Sequence, residues 1–219
     1  MVGAAHSHVL AILTRAPSAG GKTRLFHSLG IVPDPALLSA LLLDTLHGSA
    51  APGVRPVVVV TPADACAEVS ALVGEVDVMA QSEGDLGERM HATMTTLFAQ
   101  GAAVVGLIGS DVPHISSASI GAAFDLASRD AGTLVLGPAE DGGYYLVAAR
   151  RVPDIFSGID WGTSRVLAQT QTAAQRDGFR VECLDTLTDV DTEEDLRRVV
   201  RLGRSPRTAA WLKGAAVRF

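Results

Sequence analysis

The chain has little that would place it outside the cell or along a nucleic acid. Its 219 residues contain two cysteines, Cys66 and Cys183, far apart and in no zinc-binding spacing. That argues against a disulfide framework or a structural zinc site and predicts two ordinary reduced, buried thiols. Basic residues are outnumbered, 18 against 24 acids, for a formal net charge of −6. A broad nucleic-acid surface is therefore not expected, whereas one nucleotide needs only a few local cations. The N-terminal apolar run, Val9 to Leu13, is too short for a membrane span and follows no basic segment. The expectation is a cytoplasmic protein, monomer or homodimer, with no membrane partner. Repeats, low-complexity tracts and linkers are also lacking, which predicts one domain over 1–219, with 203–219 as a C-terminal helical tail.

What the chain does have is apolar mass. It is 47% hydrophobic and 19% charged, with a mean hydropathy of +0.27, so a substantial core is feasible. Buried strands are expected at Val9–Leu13, Pro56–Val60, Val76–Ala80, Ala103–Gly109, Thr133–Leu136, Tyr144–Ala148 and Phe179–Leu184. Helices are expected at Pro35–Leu46, Ala63–Val73, from Leu86 through Leu97, Ser116–Ser128, near Pro153, Thr163–Gln175, starting in Asp189–Asp195 and over Ala209–Phe219. Strand–helix alternation with short links predicts an α/β, Rossmann-like fold: a mostly parallel central sheet with helices on both faces. The alternation is interrupted between Thr133–Leu136 and Tyr144–Ala148, where no helix intervenes.

Chemistry-bearing residues gather at the predicted strand ends. The run Val104 to Ile108 breaks at Gly109-Ser110 and delivers Asp111, at the carboxyl end of a central strand where open α/β sheets bind ligands. Asp111 can hold a divalent cation by a hard oxygen, or cap the helix that starts near Ser116. Gly20 and Gly21 permit close backbone approach, and Lys22 and Arg24 bring charge for phosphates; a solvated basic turn is the alternative. Ala16 to Thr23 nearly fits a phosphate-cradling loop, but Gly30, Pro33 and Pro35 cut short the helix that should follow. Gly84 to Met90 offers Leu86 and Arg89 to a flat, phosphorylated ligand, although Asp85 and Glu88 also read as a capping pair. Asp141-Gly142-Gly143 marks either a close approach to a ligand or a plain turn. Gly162-Thr163-Ser164 leads into a helix whose free N–H groups suit an anion, with Thr163 or Ser164 as N-cap. Asp189 and Asp191, two apart on extended backbone, point the same way and can reach one metal ion, or form a helix-start acid cluster. Packed beside Asp111 they would repel one another unless a cation lay between them.

In this order, Lys22-Thr23-Arg24-Leu25, Asp85 to Met90, Gly109 to Pro113, Asp141 to Leu146 and Asp189 to Thr192 resemble the nucleotide-diphospho-sugar transferase superfamily with the GT-A fold. The chain is most similar to a bacterial branch labelled glycosyltransferase-like, and also to guanylyltransferases that activate phospholactate or phosphoenolpyruvate. The resemblance spans about residues 9–200 and implies a nucleotide over the N-terminal half of the sheet. It implies Mg2+ or Mn2+ held by Asp111, Asp189 and Asp191, with Lys22 and Asp111 catalytic. Gly20, Gly21, Lys22, Arg24, Leu86 and Arg89 would meet the nucleotide and its phosphates. Asp141, Gly142, Gly143, Gly162, Thr163 and Ser164 would meet the acceptor. Lys22 and Arg24 favour nucleotidyl transfer from a nucleoside triphosphate to a small phosphorylated acceptor, with pyrophosphate released, since the charge to be stabilised lies on a triphosphate chain, whereas the family label favours glycosyl transfer. The alternatives are glycosyl transfer from a nucleotide sugar and, in third place, nucleotide binding without catalysis. The usual glycine-rich start, with an arginine before the lysine, is compressed here to Ala19-Gly20-Gly21-Lys22, which leaves the base open.

Overall fold

The computed structural model describes residues 8–216. Seven strands form one sheet: β1 (His8–Arg15), β2 (Val54–Thr61), β3 (Asp77–Ala80), β4 (Val104–Gly109), β5 (Thr133–Pro138), β6 (Tyr144–Ala149) and β7 (Arg180–Cys183). Their order across the sheet is β3-β2-β1-β4-β6-β5-β7. Every neighbouring pair is parallel except the two that β6 makes, antiparallel to both β4 and β5. This is the α/β architecture that the alternation predicts, and the reversed strand falls at the predicted interruption. Reversal has a consequence for position. Because Ile108 pairs with Leu146, the start of β6 lies at the carboxyl end of β4, and the Asp141–Gly143 turn opens on the same edge as Asp111.

Helices α1 (Thr23–Leu29), α2 (Pro35–Gly48), α3 (Cys66–Val73), α4 (Leu86–Ala99), α5 (Ser117–Arg129), α6 (Val166–Arg176), α7 (Glu193–Arg201) and α8 (Pro206–Ala216) complete the chain. Alternate residues of the central strands feed two cores. Leu10, Ile12, Val58, Val60 and Ile108 pack with Phe124 and Ile120 of α5. Val9, Ala11, Val57, Val59 and Leu107 pack with Met90, Met94 and Leu97 of α4. Removing such side chains from water on both faces is the main stabilising contribution, roughly 25 cal/mol per Å² of apolar surface. A third cluster joins Leu25 and Phe26 of α1, Leu37 and Leu41 of α2, and Leu196 and Val199 of α7 around Val190.

Several local expectations need correction. No helix forms near Pro153 among the described residues: 150–165 runs as turns, with left-handed glycines at 158 and 162. That stretch is pinned instead by Arg151, which stacks over Phe179 and bonds Asp177. The following helix starts at Val166, and its N-cap is Arg165 rather than Thr163 or Ser164. α7, by contrast, starts at Glu193 within the expected Asp189–Asp195 run, capped by Thr192 with Asp195 at the third position. Leu86, expected in the apolar set of its helix, stands 39% exposed and lines a cavity. The thiols are not buried: Cys66 is half-covered and Cys183, on edge strand β7, is exposed. The last helix begins at Pro206, earlier than Ala209; residues 217–219 of the expected element lie outside the described residues. No helix among the described residues is long and apolar enough to cross a membrane.

Candidate active site

The loop after β1 carries three consecutive residues with positive φ: Gly20 (69°), Gly21 (117°) and Lys22 (48°). Glycine tolerates this at little cost, while a lysine in the left-handed region is a strained placement of the kind found at binding and catalytic sites. Lys22 precedes α1 without making a side-chain cap, so its ammonium is free to reach inward. It lies 2.7 Å from Asp111 Oδ2 and 2.7 Å from Asp191 Oδ1. Burial opposes the charged ammonium, but the two carboxylates outweigh it and hold the Lys22 proton well above the ordinary lysine range. Burial likewise works against the Asp111 carboxylate, and the Lys22 charge overcomes that and keeps its pKa low.

Each acid is placed by the backbone. A side chain at Gly109 would put its Cβ 2.5 Å from Asp111 Oδ1, so the glycine that ends β4 makes room for the carboxylate to fold back. The Asp111 carbonyl accepts from the Val190 N–H at 3.0 Å, and the Val190 side chain is fully buried among α1, α2 and α7. That anchor fixes Asp189 and Asp191 on either side of it. Neither acid is a helix cap, since Thr192 and Asp195 cap α7. Ser116 caps α5, which leaves Asp111 without that role. Asp189 Oδ1 is buried and has no hydrogen-bond partner. Burial, followed by the Asp111 charge, pushes the Asp189 carboxyl well above the usual carboxylate range, partly offset by Lys22.

A cavity of about 400 Å³ opens beside this cluster, with Gly20, Gly21, Lys22, Leu86, Arg89, Ser110, Asp111 and Asp189 in its wall. Its size suits a small ligand. Among the further residues of that wall are Arg15 and Gln81. Gln81 follows β3; its amide nitrogen donates to the carbonyls of Thr14 and Val59, both at 2.9 Å, and its oxygen accepts from Arg89 Nη1 at 3.1 Å. It thereby ties the ends of β1 and β2 to α4 and aims Arg89. A polar side chain directly after a short strand, at the ligand-bearing edge, was the available signal. Arg15 Nε donates to Ala19 O at 3.1 Å and supports the glycine loop from beneath. Asp85 and Glu88 do form a capping box, so this segment both starts α4 and presents Arg89.

The remaining sequence-derived residues lie apart from the cavity wall. Arg24 is 77% exposed and 3.5 Å from Asp191 Oδ2. Asp141 Oδ1 accepts from Gly143 N at 2.8 Å and closes its own turn. Gly142, at φ 89°, packs against the Ser164 backbone so closely that a Cβ would strike the Ser164 carbonyl oxygen. The Asp141–Gly143 and Gly162–Ser164 segments are thus in contact with each other. The first N–H groups of α6 are already used: Arg165 N donates to Thr163 Oγ1, Val166 N to Thr163 O and Leu167 N to Gly142 O. These bonds take up the N–H groups of Arg165, Val166 and Leu167, which the sequence reading left open to an anion.

Residues 45–163 match the family described as "Uncharacterized protein conserved in bacteria (DUF2064)". The phosphoenolpyruvate guanylyltransferase of Thermomonospora curvata is 34% identical over 206 residues, covering 91% of this chain and 86% of that protein. The chain belongs to this family. It is a transferase, similar to a guanylyltransferase and to a protein described as a nucleotide-sugar transferase. A Desulfovibrio desulfuricans G20 protein, provisionally described as a nucleotide-diphospho-sugar transferase, shares 30% identity and a TM-score of 0.86, each chain covered to 96%. CMP:2-keto-3-deoxy-manno-octonic acid synthetase in complex with CTP superposes with a TM-score of 0.56 at 16% identity, covering 90% of this chain and 98% of that one. At that identity the last likeness concerns the fold alone.

Proposed function

We propose that this protein is a nucleotidyltransferase. It would join a nucleoside monophosphate unit to a small phosphorylated acceptor and release pyrophosphate. The observation that carries this reading is that Lys22, Asp111 and Asp189 line a ligand-sized cavity at the carboxyl edge of the sheet, with Asp191 bonded to Lys22 behind them. An acceptor phosphate oxygen attacks the α-phosphorus, the bond from that phosphorus to the bridging oxygen breaks, and pyrophosphate carries away the electron pair. Charge grows on the leaving pyrophosphate, and cations positioned for it lower the barrier. Lys22, Arg15 and Arg89 face the cavity and would hold the phosphate chain, while the open Gly20–Gly21 backbone lets that chain come close.

The donor set fits a divalent cation. Asp111, Asp189 and Asp191 offer hard carboxylate oxygens, one of them buried and unpartnered, and a cationic group already lies between two of the three. These acids would hold Mg2+ or Mn2+, which when bound supplies charge neutralisation to phosphate oxygens. Asp141 to Gly143 and Gly162 to Ser164 form one joined rim and are assigned to the acceptor. The curated relative's activity makes GTP and phosphoenolpyruvate the first donor and acceptor to try.

The Desulfovibrio protein, close in both sequence and fold, supports a second reading: attack of an acceptor on the anomeric carbon of a nucleotide sugar. One experiment separates them. The protein is incubated with Mg2+, each nucleoside triphosphate and a panel of phospho-acids, and pyrophosphate is measured. Pyrophosphate in proportion to acceptor supports nucleotidyl transfer. Consumption of nucleotide sugars without pyrophosphate reverses the assignment.

A further inference from the structure

Lys22 stands where a metal ion would have to be. Its ammonium takes one oxygen of Asp111 and one of Asp191, each at 2.7 Å. Among the described residues no three His, Cys, Asp or Glu side chains converge as a metal cage, and Asp189 Oδ1 remains without a partner. A divalent cation and an ammonium cannot share these oxygens without strong repulsion. The two are competitors for one place.

The rest of the loop suits a side chain that changes partners. Lys22 is held in the left-handed region, the only non-glycine among the described residues with positive φ, directly after Gly20 and Gly21. A Cβ at Gly20 would meet nothing within 4 Å, so the backbone there is uncrowded. The chain's 18 basic residues are nearly all arginine; lysine occurs only at 22 and 213. A guanidinium would lock to a carboxylate by a rigid two-pronged contact, whereas an ammonium on a flexible stem is a point charge that exchanges partners readily.

We propose that Lys22 is a displaceable stand-in cation: it neutralises Asp111 and Asp191 until a divalent ion takes its place, and the phosphates of the nucleotide then receive its ammonium. This rests on the reading of the three aspartates as metal ligands. Metal alone binds weakly, because it must expel Lys22 into solvent. Nucleotide alone draws Lys22 away and leaves the acids uncompensated. Together each supplies what the other displaces, so the two bind with positive and reciprocal coupling through one side chain. Lys22 is then a gate on site loading as well as a phosphate contact.

The test is Mn2+ binding, read from the electron paramagnetic resonance signal of free Mn2+, with and without α,β-methylene guanosine triphosphate. Three proteins are compared: the parent, Lys22→Met and the charge-preserving Lys22→Arg. Lys22→Gln serves as a second neutral variant should Lys22→Met fold poorly, as judged by circular dichroism. Expected is that Lys22→Met binds Mn2+ alone about tenfold more tightly than the parent, a coupling of ordinary size. The nucleotide should tighten Mn2+ binding about tenfold in the parent and much less in Lys22→Met, with Lys22→Arg binding Mn2+ alone no more tightly than the parent. Mn2+ affinity in Lys22→Met that equals or falls below the parent's overturns the proposal. So does nucleotide coupling that survives unchanged in it. The underlying reading fails differently: if Asp111→Asn leaves Mn2+ binding intact, or no variant binds Mn2+ even with the nucleotide, the metal assignment itself is wrong.

Discussion

Two aspartates, Asp44 and Asp189, are largely withdrawn from water, and they are treated in opposite ways. Asp44 on α2 is fully satisfied. Its Oδ2 accepts from Thr208 N at 2.8 Å and Thr208 Oγ1 at 2.9 Å, and its Oδ1 from Arg207 N at 3.2 Å and Arg207 Nη1 at 3.3 Å. These donors sit in the first turn of α8, so the carboxylate clasps two helices and meets the positive end of one of them. Asp189 has a buried oxygen without a partner and lies in the field of Asp111, Asp141 and Asp191, with Lys22 as the counter-charge. Buried polarity is normally paired, and the exception marks where folding and chemistry diverge. Asp44 holds the structure together. Asp189 is left with an unpartnered oxygen among like charges.

The contrast can be broken most sharply at Asp111. Asp111→Asn or Lys22→Ala should lower turnover by about 10²–10³-fold, the cost of removing one preorganised charge in a transfer site, while the melting temperature stays within a few degrees of the parent. Pyrophosphate release and a thermal melt together check it. At Asp44 the pattern should invert. Asp44→Ala leaves the α8 donors unpaired and should cost about 3 kcal/mol, roughly 9 °C in melting temperature for a chain of this size, with turnover unchanged below the transition. Asp189→Asn, the third comparison, should raise stability by about 1 kcal/mol, because a neutral amide relieves like-charge repulsion in a site selected for function, and should abolish turnover. If Asp189→Asn destabilises as Asp44→Ala does, the distinction between the two acids collapses.

The sequence made the sheet legible because its signals are local and redundant. Val57 to Val60 and Val104 to Ile108 read as strands from a few adjacent residues, and the missing helix before Tyr144 marked where the alternation breaks. Three acids at strand ends were also readable as candidates. Their relation to Lys22 was not, because the contact from Lys22 to Asp191 spans 169 residues and depends on a left-handed backbone that no residue pattern specifies. Gln81 escaped for a similar reason: its role lies in bonds to Thr14, Val59 and Arg89, which only the assembled sheet brings within reach. The misplaced start of α6 has a simpler cause. Thr163 and Ser164 have the chemistry of caps, but the tertiary bond from Leu167 N to Gly142 O settles where the helix begins.

The smallest expected effect concerns a third acid, one with a purely local role. Burial opposes the Asp177 carboxylate, yet the Asp154 N–H and the Arg151 guanidinium hold it below the ordinary carboxylate range. A lowered folded-state pKa contributes stability at neutral pH, and that contribution is lost as the pH falls through the folded value. Asp177→Asn should therefore cost about 0.5–1 kcal/mol near pH 7, the scale of a partly exposed ion pair, and the gap to the parent should close at acid pH. Urea titrations at several pH values would show it. A gap independent of pH would mean that the geometry, not the charge, is what Asp177 contributes.

The most direct measurement follows one phosphorus atom. The protein is given Mg2+, a nucleoside triphosphate labelled at the α-phosphorus and a phosphorylated small acid, and the label is traced by chromatography while pyrophosphate is counted. Label should pass to the acid with one pyrophosphate released per transfer, and should remain on the triphosphate in Lys22→Ala and Asp111→Asn. Label that never leaves the triphosphate under any base and acceptor, while an added nucleotide sugar is converted to nucleoside diphosphate, would contradict nucleotidyl transfer at this site.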